Sequence, residues 1–386
     1  MTTTGLILMG GGARAAYQVG VLEGIARILE SQGWPATRTP FPVVCGTSAG
    51  AINAAAIAAH SDDWLGAIER LTDVWHNFSA DQVYRVDARG SLGNAMHWVG
   101  ALLFGWMVRS RPRSLFDNSP LADLLGRMID LSRLQRCLDD GHLKALAITA
   151  SSYTSGQHVT YYETRDAVTP WYRTQRLSSP TRIEIAHLLA SSAIPFAFPA
   201  MPLHLDGRHE YFGDGSMRQT APISPAIHLG AERILVIGAG QLQRGTAHAS
   251  HTGSQYLYPS LAQVAGHAMA SIFLDGLASD IERLTRVNRT VNMLADEHRA
   301  RSDLRNIELL VIAPSERLDT LATEHVRDLP RNIRMVLRMV GATDTRGSGL
   351  SSYLLFEKSY TRRLLDLGRA DAQAQRDQVL RFFEAG

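Results

Sequence analysis

Gly5-Leu6-Ile7-Leu8-Met9-Gly10-Gly11-Gly12 and, further on, Pro40-Phe41-Pro42-Val43-Val44-Cys45-Gly46-Thr47-Ser48-Ala49-Gly50 decide the fold of this chain. The first apolar run breaks into three glycines, so it reads as a buried strand ending in a tight turn. Ala13 to Leu29 then carries apolar residues at Val19, Leu22, Ala26 and Leu29, the spacing of a helix with one buried face. Pro40 to Cys45 is a second buried strand that runs directly into Gly46-Thr47-Ser48-Ala49-Gly50. Ala51 to Ala59, mostly alanine and isoleucine, reads as a helix packed close to a sheet. Strand, glycine turn and helix, given twice, predict parallel strands with helices on both faces.

Further strands are expected at Leu143–Ala150, His158–Glu163, Arg233–Ala239 and Ile307–Ala313, with a shorter one over Glu210-Tyr211-Phe212-Gly213. The fold class is therefore α/β: a mainly parallel sheet sandwiched by helices, with a helical insertion at about 61–142 and a helical C-terminal extension. Gln241–Tyr258 and Gly341–Ser352, rich in Gly, Ser and Thr, read as loops, and the second leads into a polar helix.

At 386 residues, 45% hydrophobic and 20% charged, the composition is that of a globular protein. A net charge of +2 gives no reason to expect a nucleic-acid partner. Of 39 basic residues only Lys144 and Lys358 are lysines, leaving 39 − 2 = 37 arginines, so a single arginine is a poor functional clue. Two cysteines, Cys45 and Cys137, make no disulfide framework and suit a reducing, cytoplasmic compartment. The N-terminus lacks the basic segment and long apolar run of a signal peptide. The most apolar stretch, Ala95–Val108, is shorter than the roughly 20 residues of a membrane span. It reads either as a core helix or as a lid beside the site. In the second case residues 95–113, with Arg109, Arg111 and Arg113, make peripheral contact with a membrane.

Gly46-x-Ser48-x-Gly50 has the form of a nucleophile elbow. The turn lifts the serine hydroxyl clear of a strand-to-helix junction and admits only small residues on either side. Ser48 then sits at a helix N-terminus, where the dipole and free N–H groups favour a developing oxyanion. Gly10-Gly11-Gly12-Ala13 can expose several N–H groups to one small anion. Gly10-x-Gly12-x-x-Ala15 also fits a dinucleotide fingerprint, but that motif needs an acid at the end of the second strand. Cys45-Gly46-Thr47-Ser48 stands there instead. Asp214-Gly215 follows a short strand and is, taken alone, a plain Asp-Gly turn or an aspartate held for reaction.

Taken together, the glycine turn, the serine elbow and the distant Asp-Gly resemble the patatin-like phospholipase family in order and spacing. Leu189-Ala190-Ser191-Ser192-Ala193-Ile194-Pro195-Phe196 is similar to the segment such proteins carry before the aspartate. The resemblance covers about residues 5 to 240, which makes 1–240 the catalytic unit. Residues 241–386 form a C-terminal part with a closing strand near 307–313. It implies a lipid or other acyl-ester substrate, Ser48 as nucleophile and Asp214 as its proton acceptor. The same resemblance makes the backbone N–H groups of Gly10, Gly11, Gly12 and Ala13 the oxyanion hole, with Gly46 and Gly50 shaping the elbow. It implies no cofactor and no metal. Ser216 departs from the glycine or alanine usual at that position. Three alternatives remain at this level: an inert binding protein of the same fold, a nucleotide-dependent enzyme, and an esterase or thioesterase using a Ser-His-Asp triad. Candidate histidines for the triad are His248, His251 and His267. No feature of the sequence selects a head group, an acyl chain or an oligomeric state.

Overall fold

The computed structural model describes residues 2–85, 114–241, 259–295, 297–298, 301–302, 304–339, 341–342 and 348–384. Ala95–Val108, the three arginines after it, His248 and His251 lie outside these residues, as do most of Gln241–Tyr258. In chain order the first elements are β1 (Thr4–Leu8), α1 (Ala16–Glu30), β2 (Val43–Thr47), α2 (Ala49–Ala58) and α3 (Trp64–His76). Next come α4 (Ser119–Met128), α5 (Leu131–Asp139), β3 (Ala145–Ser152), β4 (His158–Thr164), β5 (Tyr172–Arg173) and β6 (Arg176–Pro180). They are followed by α6 (Ile185–Ser191), β7 (Met201–Leu205), β8 (Arg208–Gly213), α7 (Ser224–His228) and β9 (Arg233–Ile237). The C-terminal elements are α8 (Leu261–Ala270), α9 (Gly276–Met293), β10 (Glu308–Ile312), α10 (Leu318–His325) and α11 (Arg331–Met339). Then follow α12 (Ser348–Leu354), α13 (Lys358–Ala374) and α14 (Arg376–Glu384).

The strands form one sheet in the order β10-β9-β1-β2-β3-β4-β6-β5, with the β7–β8 hairpin joined to β3. From β10 to β3 every pairing is parallel. The chain crosses from β1 to β2 on one side and returns later to place β9 on the other. That reversal is the kind of switch point beside which open α/β sheets bind ligands, at the carboxyl ends of their strands. β4 pairs antiparallel with β3, so the sheet is mixed beyond its parallel half.

β9, β1, β2 and β3 are buried on both faces, which is why they read as mainly apolar runs. Leu6 and Leu8 face the larger core with Val19, Leu22 and Ala54, whereas Ile7, Met9, Val43 and Cys45 face a second core closed by Ala226, Leu277 and Leu284. β10 extends the sheet beyond β9, in register from Glu308↔Arg233 to Ile312↔Ile237. On the other face α13 lies along α1. Gly20 has no side chain because the Leu365 backbone takes its place, with the carbonyl carbon only 2.8 Å from where a Cβ would stand. The Tyr17 hydroxyl donates to Asp371 at 2.9 Å across that contact.

Several sequence expectations need correction. Part of the loop expected over Gly341–Ser352 is helical, since α12 runs Ser348–Leu354. The polar closing helix is two helices, and α13 buries Tyr360, Leu364, Leu365 and Leu367 on one face. β5, β6 and β7 have no counterpart among the expected strands. They are short, and β6 and β7 include Pro180 and Pro202, which weaken a strand pattern. No helix among the described residues is long and apolar enough to cross a membrane.

Candidate active site

β1 and β2 are neighbours in parallel register, Leu8 opposite Gly46, so the turns that follow them emerge side by side. Gly50 sits directly under β1: a Cβ there would strike the carbonyls of Leu8 and Met9. Gly46 is equally confined, with the Ala51 Cα 2.5 Å from the place a Cβ would occupy. The two elbow glycines therefore let α2 start against the end of the sheet. Ser48, between them, has φ 57 and ψ −132, a backbone conformation that costs a non-glycine residue on the order of 1–3 kcal/mol. The surrounding close contacts hold it there.

The strained turn aims the Ser48 hydroxyl at Asp214. Ser48 Oγ donates to Asp214 Oδ2 at 2.5 Å, and both side chains are buried. The other carboxylate oxygen, Oδ1, accepts the N–H of Ser216 at 2.8 Å. Burial raises the Asp214 carboxyl to about 6, while the hydrogen bonds from Ser48 and Ser216 pull the other way. Gly215 is required by close approach as well, because a Cβ there would meet the Thr149 hydroxyl at 2.7 Å.

The segment Ala190–Ala193 locks these two turns together. Ser191 Oγ accepts the Ser48 N–H at 2.8 Å, and the Ser191 carbonyl accepts the Gly215 N–H at 3.0 Å. The Ala193 carbonyl accepts the Asp214 N–H at 3.0 Å. The N–H of Ser48 itself is thus taken up by Ser191, so the N–H groups that the start of α2 can offer are those of Ala49 and Gly50. The glycine turn is arranged differently. Gly12–Ala15 is a 3-10 turn, and among the described residues the N–H groups of Gly11, Gly12 and Ala13 meet no acceptor. These are the donors a helix start leaves unpaired. Gly12 and Ser48 line the same crevice.

A buried polar network braces that turn. Gln18 donates to the Met9 carbonyl at 2.5 Å, and Asn53 donates to the Ala15 carbonyl and to Gln18, each at 3.2 Å. Trp75 donates to Asn53 at 2.9 Å, which ties α3 to the same network. Neither Gln18 nor Asn53 is legible as a site residue in the sequence, their polarity among apolar neighbours being the sole trace, and Ser191 is seen there only as part of the Leu189–Phe196 segment.

The crevice is lined by apolar side chains apart from Ser48 and Ser192. Ile52, Trp75, Phe78, Leu125, Met128 and Phe198 supply much of its wall, and Phe356 enters from the C-terminal part. The 61–142 insertion therefore contributes walls of this crevice through α3 and α4. His158 is the histidine built into the site. Its Nε2–H donates to the Gly215 carbonyl at 2.9 Å, and burial lowers its pKa to about 4, so it stays neutral and bonds the turn rather than Ser48. His267 is exposed on α8. Among the described residues no group of three or more His, Cys, Asp or Glu is placed to hold a metal.

The model of the patatin-like phospholipase family matches residues 6–227, more than half of the 386 residues. The chain belongs to that family, and membership supports lipid acyl hydrolysis in general. Similar solved structures include VipD from Legionella pneumophila, at 13% identity over 95% of this chain and 67% of that one, with a TM-score of 0.29. Human GIVD cytosolic phospholipase A2, solved with methyl gamma-linolenyl fluorophosphonate, is 14% identical over 100% of this chain, with a TM-score of 0.41. The chain spans 59% of that enzyme's length. The type III effector ExoU of Pseudomonas aeruginosa is 15% identical over 100% of this chain and 89% of its own, with a TM-score of 0.29. No curated protein matches the chain.

Proposed function

We propose that the protein hydrolyses carboxylic esters of long-chain lipids, phospholipid or lysophospholipid, through a Ser48/Asp214 dyad. The observation that carries this reading is the direct 2.5 Å hydrogen bond from Ser48 Oγ to Asp214 Oδ2 at the mouth of an apolar crevice. The acyl chain lies in the crevice with its carbonyl carbon at Ser48. Attack by Oγ forms the carbon–oxygen bond while the hydroxyl proton passes to Asp214 Oδ2. The carbonyl oxygen becomes an oxyanion held by N–H groups of the glycine turn. Collapse of that intermediate breaks the ester bond, and the departing alcohol takes the proton back from Asp214. Water then attacks the acyl-enzyme, gives its proton to Asp214, and releases the fatty acid as Ser48 recovers its hydrogen.

A carboxylate near pKa 4 is a feeble base towards a serine. Burial of Asp214 raises its basicity, and the preformed hydrogen bond removes any search for geometry. An imidazole in place of this carboxylate would need to reach Ser48 Oγ, whose proton is already directed at Asp214. The decisive experiment offers the protein phosphatidylcholine, lysophosphatidylcholine and p-nitrophenyl esters, and identifies the products. Release of free fatty acid by the wild type and its loss in Ser48→Ala, together with fluorophosphonate labelling at Ser48 alone, is the expected result. Absence of fatty acid from every ester, or labelling at another serine, contradicts the proposal.

A further inference from the structure

The family match ends at residue 227, yet each of the three glycines in the turn after β1 touches a residue beyond it. A Cβ on Gly10 would lie 2.9 Å from the Phe273 ring, and one on Gly11 would lie 2.5 Å from the Ala239 methyl. Gly12, at φ +54, rests on the Tyr353 main chain, with the carbonyl carbon 3.1 Å from a Cβ position. Tyr353 in turn stacks on Phe273 with centroids 4.9 Å apart. The glycine turn is thus packed closely against C-terminal groups.

Arg14 fastens the enclosure. Its guanidinium is buried, and both Nε and Nη2 donate to Ser352 Oγ, at 2.9 and 2.6 Å. Ser352 spends its own proton on the Gly349 carbonyl at 2.7 Å, so its lone pairs are turned to the arginine. The guanidinium also lies 4.0 Å over the Tyr353 ring, a cation–π contact made stronger by burial. Asp319 feels the same charge from further off. Arg14 sits inside the 3-10 turn whose first N–H groups are unpaired, so a shift of its side chain moves those donors.

Resting on the oxyanion role proposed above for this turn, we infer that Ser352 and Tyr353 of α12 are positioning residues for the oxyanion donors. They act through Arg14 and the Gly12 main chain, and contribute nothing to the nucleophile or its base. The C-terminal part is in this sense a component of the active site rather than an appendage.

The test compares Ser352→Ala, Ser352→Thr and Tyr353→Leu in the full chain, with a soluble p-nitrophenyl ester and a trifluoromethyl ketone inhibitor that mimics the tetrahedral intermediate. Outright loss of one oxyanion donor costs about 10²–10³-fold in kcat, and a displaced donor costs a part of that. Ser352→Ala should lower kcat about tenfold, leave KM within about twofold and weaken the ketone by the same factor as kcat. Ser352→Thr keeps the hydroxyl and should restore both. Wild-type kcat and wild-type ketone affinity in Ser352→Ala overturn the inference. So does a fall in kcat that follows the loss of folded protein with ketone affinity unchanged. If Tyr353→Leu does not fold, the alanine and threonine variants decide alone. Ser48→Ala runs alongside: if it remains active, the hydrolase reading fails whatever the Ser352 variants do.

Discussion

Ser191 Oγ accepts the backbone N–H of Ser48 at 2.8 Å, across 143 residues of sequence. This bond fixes the strained elbow and removes its N–H from the pool of oxyanion donors. The donors proposed for the oxyanion are those of the glycine turn, which is packed tightly into its surroundings. The same Ser191 accepts the Gly215 N–H through its carbonyl, so one residue sets the position of serine and aspartate together.

In the proposed dyad, the ionisation of Asp214 sets the pH dependence of the rate. The proposed base must be ionised to take the serine proton, and burial places its carboxyl at about 6. We expect kcat/KM on a soluble ester to be level above about pH 7 and to fall tenfold per unit below about pH 5.5. Because burial holds His158 neutral down to about 4, an inflection near 6 does not come from that histidine. A profile flat down to about pH 4 would show that no such base is in use.

Stability should run the other way. The folded carboxyl of Asp214 holds its proton to about 6, while an unfolded aspartate releases it near 4. The group therefore stabilises the fold most below about pH 4, and that contribution is lost as the pH rises through 6. Asn cannot ionise and keeps an oxygen for the Ser216 N–H. At about pH 8, Asp214→Asn should be more stable than wild type by up to about 3 kcal/mol, with the gap closing near pH 4. Denaturation curves at the two pH values check this, and a variant less stable at pH 8 would mean the buried charge is well compensated.

The proposal places the acyl chain in the crevice. Leu124 on α4 lines it and is only partly buried, so a larger side chain fits there with little strain on the core. Leu124→Trp should cut kcat/KM for a sixteen-carbon p-nitrophenyl ester at least tenfold, roughly the 1–3 kcal/mol of an ill-fitting apolar group. Hydrolysis of a two-carbon ester should stay within about twofold. Equal losses on both esters would place the acyl chain elsewhere.

Much of this site is legible in the sequence because its parts are local. An apolar strand that breaks into Gly10-Gly11-Gly12, and another that breaks into Gly46-x-Ser48-x-Gly50, can only be turns at the end of a buried sheet. Asp214 is legible by conjunction alone, since Asp214-Gly215 in isolation is a common turn. What is hidden depends on contacts between distant residues. Gln18 and Asn53 carry no pattern of their own, Ser191 stands in the Leu189–Phe196 segment with no role assigned to it, and the partners of all three lie on other elements. The stretch Gly341–Ser352 reads as a loop by composition, yet Ser348–Leu354 is a helix whose Ser352 and Tyr353 pack against the glycine turn. Tertiary packing overrides local preference there.

The central claim is that Ser48 and Asp214 act as a pair without a histidine, and the rate of Asp214→Asn tests it most directly. Removal of a general base costs about 10²–10⁴-fold, and we expect a loss in kcat/KM near the upper end with fold intact. Alanine at each histidine in turn should leave far more activity than that. An Asp214→Asn enzyme within about tenfold of wild type, or one histidine variant as inactive as Asp214→Asn, would contradict the dyad.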